Sequence, residues 1–235
     1  QYRQMGCELY DGIPLFSRFM DGLDQIVRQE TGTSILSELY GENRRKSDPF
    51  DQTRMTHPAI FMVQLSLAQA LMASGVRADT VLGSSLGEYV AAVVVGAVDG
   101  ESMMRAIIRS ANIIERQCAP GSMMSVLAPQ ELYHEDPLAH QKVTFVGSYL
   151  SELFVVAGQV DAVMEMHEHW EGKGIVTVVL PVSHAFHSDS MDDCSDALRM
   201  IFSELAIENP KIPFYSSVLG GRAERLAADH FLRVG

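Results

Sequence analysis

Apolar side chains recur with a period near 3.6 over residues 12–42, where Ile13, Leu15, Phe16, Phe19, Met20, Leu23, Ile26 and Val27 trace one helical face. Polar residues from Gly41 to Thr56, with Pro49 among them, read as a loop. Thr56-His57-Pro58 then reads as a helix start, because proline suits the first turn, where its missing N–H costs nothing. Ile60, Phe61, Val63, Leu65, Leu67 and Leu71 continue that helix, and Gly75 ends it. The short apolar run Thr80-Val81-Leu82 is followed by Gly83-Ser84-Ser85-Leu86-Gly87 and then by helix-favouring Glu88-Tyr89-Val90-Ala91-Ala92. The segment therefore reads strand, tight turn, helix. A further helix is predicted over 100–117, ending near Pro120-Gly121.

Beyond Gly121 the texture changes. Met123–Leu127, Thr144–Val146, Phe154–Ala157 and Ile175–Leu180 are rich in strand formers, and Val160–Glu171 between the last two is helix-like. Strands interleaved with helices over about 60 residues suit a small ferredoxin-like α+β insert. Residues 189–206 return to helix and Ile212–Val218 reads as a strand, with no internal repeat or low-complexity tract.

Composition narrows the class of molecule. The 235 residues are 47% hydrophobic and 20% charged, the balance of a globular chain with a sizeable core. No apolar run approaches the roughly 20 residues that span a bilayer, and no segment resembles a signal peptide. The start at Gln1, without methionine, reads as a fragment or as a chain whose beginning is not seen. Cys7, Cys118 and Cys194 are too few and too scattered for a disulfide framework or a zinc site; each reads as a small buried apolar residue in a reducing cytoplasm. A formal net charge of −12 argues against nucleic acid, which demands a clustered positive field. Arg44-Arg45-Lys46, the compact basic cluster, reads as a solvated loop, the other readings being an acidic partner or a nucleotide phosphate.

The chemistry concentrates at Ser85. A serine between two glycines at a strand-to-helix turn is the nucleophile-elbow pattern: the glycines allow a sharp turn with close backbone approach. The turn lifts Ser85 Oγ to the positive N-terminus of the following helix, and the Leu86 backbone N–H sits where it can donate to an oxyanion. Two serines between glycines also make an ordinary helix N-cap, so the pattern alone leaves both readings open. A serine hydroxyl further requires a base. Of the eight histidines, His134, His140, His167, His169 and His230 lie in polar stretches and read as surface residues, and His57 opens a helix. His184 and His187 stand in Ser183-His184-Ala185-Phe186-His187-Ser188, just after an apolar strand, and spacing does not choose between them.

Taken together, these segments resemble the acyltransferase family of malonyl-CoA:acyl-carrier-protein transacylases and polyketide synthase acyltransferase domains. Gln1–Tyr10 is similar to the segment after the family's N-terminal G-Q-G motif, and Thr56–Phe61 to its T-Q-P-A-x-F helix start. Gly83–Tyr89 matches G-H-S-L-G-E-Y, His184–Ser188 matches H-A-F-H-S, and Ile212–Val218 matches I-P-F-Y-S-N-V. The resemblance implies an α/β fold: an α/β-hydrolase-like large domain over 1–121 and 185–235, a ferredoxin-like insert over 122–184, and an active site in the cleft between them. It implies Ser85 as nucleophile, His187 as base in a Ser–His dyad without a triad carboxylate, and Leu86 as one oxyanion donor. The family's second donor is the glutamine of G-Q-G, which would precede Gln1. Acyl carrier protein and an acyl thioester are the implied partners of a monomer without nucleic acid, membrane, metal or redox cofactor. Phosphopantetheine or CoA enters only as part of the substrate.

The chain departs from the family pattern at three places. Ser84 replaces the histidine of G-H-S, and His57 the glutamine of T-Q-P. Third, malonyl-specific members carry an arginine in the helix after the elbow, and ungapped counting from Ser85 places that position at Ser110. Arg109 lies one residue earlier, about 100° round the helix. A serine cannot supply the bidentate cation that a dicarboxylic acyl group needs, whereas a neutral acyl chain loses nothing. The implied acyl pocket thus involves Ser110, Arg109, Ser84, His57, His184 and Phe186. This resembles the acyl hydrolases of trans-acyltransferase polyketide synthases, in which water accepts the acyl group. A one-residue helix shift bringing Arg109 inward would instead give a malonyl transferase. A catalytically silent carrier-docking domain is the third reading.

Overall fold

The computed structural model describes residues 1–234, and the chain divides into two compact units. One comprises Gln1–Phe50, Arg54–Glu115 and the residues from Ser195 onward; the other comprises Asp51–Thr53 and Arg116–Cys194. The second unit therefore extends beyond residues 122–184 on both sides and carries the whole His184–Ser188 block.

The first unit opens with helices α1 (Cys7–Gly12), α2 (Pro14–Thr31) and α3 (Ile35–Tyr40). The single helical pattern expected over 12–42 is thus split. Gly32 takes φ +72 and its N–H closes α2 on the Arg28 carbonyl, while the Ser34 side chain caps α3 by accepting from Ser37 N at 3.1 Å. Buried Asp24 fastens the corner, accepting from Arg28 Nε, Ser34 Oγ and the Leu36 amide. Phe16, Met20, Leu23 and Val27 form the buried face that the 3.6-residue period predicts.

Helix α4 (Thr53–Ala73) starts three residues before Thr56, so Pro58 lies inside it and not in its opening positions. Strand β1 (Val81–Gly83) leads into α5 (Gly87–Val94), and α6 (Gly100–Gln117) follows. On α6, Met103, Met104, Ile107, Ser110, Ala111 and Ile114 face inward.

The second unit contains β2 (Ser122–Val126), α7 (Glu131–Glu135), α8 (Pro137–Lys142), β3 (Thr144–Leu150), β4 (Leu153–Gly158), α9 (Val160–Glu171) and β5 (Thr177–Val179). This is a β-α-β-β-α-β order. Its antiparallel sheet has strand order β3-β4-β2-β5, the ferredoxin-like arrangement. Because side chains alternate across a strand, Met124, Val126, Phe154 and Val156 meet Val163, Met166 and Trp170 on one face. Met123, Val155 and Ala157 pack on the other face with Ala185, and Phe186 and Val182 flank them. Buried Asp136 ties α8 to α9 by accepting from the Leu138 amide, Trp170 Nε1 and Lys173 Nζ, with His169 Nε2 also 2.9 Å away.

A 3-10 turn at Asp189–Cys194 ends this unit. Cys118 and Cys194 are buried free thiols whose sulfurs lie 2.9 Å apart; Cys7 is half-exposed. Burial, followed by the hydrogen bond to Cys194, pushes the Cys118 thiol up to about 12.

The first unit resumes with α10 (Ser195–Ser203), β6 (Phe214–Ser216), β7 (Gly221–Ala223) and α11 (Ala228–Leu232). Strands β1 and β6 pair in parallel, Leu82 opposite Tyr215 and Gly83 opposite Ser216, and β7 joins antiparallel to β6. Tyr89 stacks on Phe202 with ring centroids 5.6 Å apart and also meets Phe231, so α5, α10 and α11 share one core. His230, read from its polar neighbours as a surface residue, is buried: the α11 turn directs it inward beside Phe214 and Phe231.

Candidate active site

Strand β1 ends at Gly83, the chain turns through Ser84-Ser85-Leu86, and α5 begins at Gly87. Ser85 takes φ +47, left-handed backbone that costs a residue with a β-carbon about 1–3 kcal/mol and persists only where neighbouring structure holds it. The hold is visible. Gly87, Glu88 and Tyr89 amides donate to the carbonyls of Ser84, Ser85 and Leu86 at 2.9, 2.8 and 3.2 Å. The Leu86 amide, among the described residues, donates to none of them, which leaves an N–H at the start of α5 open to an oxyanion. Ser84 is exposed, and Ser85 and Leu86 are half-buried.

The two glycines of the turn are not equivalent. A β-carbon on Gly83 would lie 2.8 Å from Glu88 Cα and 3.1 Å from Glu88 N, both backbone atoms. On Gly87 its nearest neighbour would be Gln64 Oε1, at 4.0 Å. Thermal unfolding should therefore show Gly83→Ala destabilised by about 1–3 kcal/mol, while Gly87→Ala stays within about 0.5 kcal/mol of the parent. Equal melting temperatures for the two variants would remove the close-approach explanation.

Glu88, on the first turn of α5, is fully buried. Its Oε1 accepts from Ser216 Oγ (3.0 Å), Ser217 N (2.7 Å), Ser217 Oγ (3.0 Å) and Val218 N (3.3 Å), and its Oε2 lies 3.1 Å from His230 Nε2. Burial works to raise this carboxyl, but hydrogen bonds from His230, Ser216, Val218 and Ser217 outweigh it and hold the group below its ordinary value. Sequence reasoning missed this network. An acid near a helix N-terminus is unremarkable by itself, and its partners lie 128–142 residues away; the one local hint is the pair of serines ending an apolar strand.

In the second unit the His184–Ser188 block is moulded onto the sheet. Gly121 N donates to Ser183 O at 2.9 Å, and a β-carbon on Gly121 would come within 2.6 Å of Ala185 N, so glycine is required there. His184 is buried, its Nδ1 2.9 Å from Thr53 Oγ1 and 3.0 Å from Ser183 Oγ, with its ring 5.9 Å from that of Phe186. Ser188 Oγ donates back to Ala185 O at 2.6 Å, tightening the turn in which His187 takes φ +61. His187 is half-buried, and burial lowers its pKa below the ordinary 6.5, which favours the neutral imidazole that can accept a proton.

The remaining predicted residues are spread over the helices. His57 is half-buried on α4. Ser110 is buried, 5% exposed, with Oγ donating to Ile107 O at 3.0 Å within its own helix. Arg109 points outward, its guanidinium gripping Glu204 with both terminal nitrogens, one of them at 3.1 Å. Among the described residues no three His, Cys, Asp or Glu side chains cluster as a metal site, and no helix is long and apolar enough to cross a membrane.

A strand–serine turn–helix on parallel strands, in a chain that also carries a ferredoxin-like unit, is the architecture of an α/β acyltransferase, with an α/β-hydrolase-like large domain and an inserted small domain. Residues 1–231 match the acyl transferase domain family, and the chain belongs to it. It is 36% identical over 231 residues to the polyketide biosynthesis acyltransferase homolog BaeD of Bacillus velezensis, spanning 98% of this chain and 71% of that one. To the homolog PksD of Bacillus subtilis it is 37% identical over 220 residues, 94% of this chain and 68% of that one. Among solved structures, the acyltransferase domain from the second module of the salinomycin polyketide synthase superposes with a TM-score of 0.81 at 28% identity. That match covers all of this chain but only 54% of the solved one.

Proposed function

We propose that this protein is an acyl hydrolase of polyketide biosynthesis that clears acyl groups from acyl carrier protein thioesters through a Ser85 acyl-enzyme. One observation carries the choice of hydrolysis over malonyl transfer. At the position where malonyl-specific relatives place an arginine stands Ser110, buried and bonded to its own helix, while Arg109 is committed to Glu204 at the surface. Neither offers the fixed guanidinium that a malonyl carboxylate requires. The polyketide assignment draws on the BaeD and PksD homologs, which are named for that biosynthesis.

In this reading Ser85 is the nucleophile and His187 the base. Ser85 Oγ attacks the thioester carbonyl as its proton passes to His187, and the tetrahedral oxyanion accepts from the Leu86 N–H. Collapse expels the carrier thiolate, which takes the proton from His187 and leaves a Ser85 ester. Water then attacks the ester carbonyl while His187 accepts a proton. The second collapse releases free acid and restores Ser85. In the transferase alternative a carrier thiol replaces water in this step. Ser84, His57, His184 and Phe186 are the further candidates for the acyl pocket.

The deciding experiment incubates the protein with acetyl- and malonyl-loaded acyl carrier protein and follows both carrier and free acid by mass spectrometry. Acetyl-carrier protein should return to the free thiol with stoichiometric acetate, and malonyl-carrier protein should react more slowly. Stable acetyl-carrier protein, together with charging of the carrier from malonyl-CoA, would replace the hydrolase with a transferase. Ser110→Arg should raise malonyl turnover relative to acetyl by about tenfold, the scale of one charge-assisted contact.

A further inference from the structure

The structure assigns Glu88 a positioning role: we propose that its buried carboxylate, paired with His230, holds the serine turn in the conformation that presents Ser85 and leaves the Leu86 amide open. The proposal rests on Ser85 being the nucleophile.

Three facts converge on it. First, Glu88 belongs to the turn itself, since its amide donates to the Ser85 carbonyl at 2.8 Å and its Cα abuts Gly83. Second, its side chain gathers the segment after β6: Ser216, Ser217 and Val218 all donate to Oε1. Ser217 N lies within bonding distance of both Glu88 Oε1 and the Gly83 carbonyl, at 2.7 and 3.1 Å, and so bridges the carboxylate to the end of β1. Third, the other oxygen faces His230 Nε2 in a site where Glu88 is 0% and His230 7% exposed. An ionised carboxylate only accepts, so every group around it must donate, His230 Nε2 included. His230 Nδ1 is buried without a hydrogen-bond partner among the described residues. A polar group left in that condition is unfavourable, so the polar contact His230 makes in this site is the one its other nitrogen makes with Glu88.

Left-handed backbone at a non-glycine residue survives only where its surroundings over-determine it. For Ser85, Glu88 supplies that determination from the C-terminal side. Neither Glu88 nor His230 touches the reacting atoms in this scheme. Both act through Ser85.

The test compares Glu88→Gln, His230→Phe and His230→Gln in the full chain. It measures the pseudo-first-order labelling of Ser85 by a fluorophosphonate, kcat and KM on acetyl-carrier protein, and the melting temperature. Glu88→Gln and His230→Phe should stay folded yet label at least tenfold more slowly, with kcat falling by a similar factor and KM changing less than threefold. His230→Gln, which restores an N–H donor toward Oε2, should recover most of the labelling rate. Labelling within twofold of the parent in a folded Glu88→Gln or His230→Phe protein overturns the proposal, as does His230→Gln behaving like His230→Phe. If Glu88→Gln does not fold, the two His230 variants decide alone. A parent protein that neither labels nor turns over thioesters would instead refute the Ser85 reading beneath.

Discussion

Replacing Ser85 with alanine is expected to abolish covalent acylation and to lower thioester turnover by about 10⁴-fold or more, the scale seen when a nucleophile is removed while its oxyanion donors remain. Intact-protein mass spectrometry after exposure to acetyl-carrier protein or a fluorophosphonate reads the first loss directly. The variant should fold normally, because alanine keeps the β-carbon at φ +47 and deletes only Oγ. Ser85→Gly should be equally inactive but more stable by about 1–2 kcal/mol, since glycine occupies left-handed backbone without strain. Activity and stability thus oppose each other at this residue. Turnover by Ser85→Ala within tenfold of the parent would place the nucleophile elsewhere.

The second large effect concerns His187. His187→Asn should cut kcat/KM by about 10³-fold, within the range that a positioned general base contributes. The parent should also show a distinctive pH profile. Only neutral imidazole accepts the Ser85 proton, so the rate rises with pH through the pKa of His187 and is flat above it. Burial disfavours the imidazolium and sets that pKa below the ordinary 6.5, so the midpoint of the rising limb lies on the acid side of 6.5. His187→Asn should lose this limb. His184→Gln should retain it, because His184 Nδ1 is engaged by Thr53 and Ser183 and its replacement leaves the base in place. A parent limb centred well above 6.5, or one that survives in His187→Asn, contradicts the assignment.

Much of this architecture is legible in the chain because it is encoded locally. The Gly83–Gly87 turn lies between an apolar triplet and a helix former, and β1 and α5 appear there. Residues 160–171 read as a helix and are one, since Val163, Met166 and Trp170 keep the period of a single buried face. The misreadings have local causes too. Gly32 breaks the helix without interrupting the polarity pattern of 12–42, so a helical reading of that stretch does not show the boundary between α2 and α3. Pro58 suits a first turn and so points to a helix start at Thr56, yet α4 begins at Thr53 and carries the proline within it. The short β7 and α11 are too brief to carry a periodic signal. What no local pattern could convey is the Glu88–His230 contact, in which a residue of the elbow helix meets one from the last described helix. Left-handed backbone at His187 was equally hidden, because histidine carries no local signal for a positive φ.

The division of the chain assigns Ser85 and His187 to different bodies, each with its own core. Drift in Phe154, Met166 or Trp170 loads first onto the histidine's platform, whereas drift in Tyr89, Phe202 or Phe231 loads onto the serine's. Inherited variation in such a chain is therefore partitioned. Substitutions in one core can act on the surroundings of His187 and those in the other on the surroundings of Ser85, and neither has to pass through the other's fold.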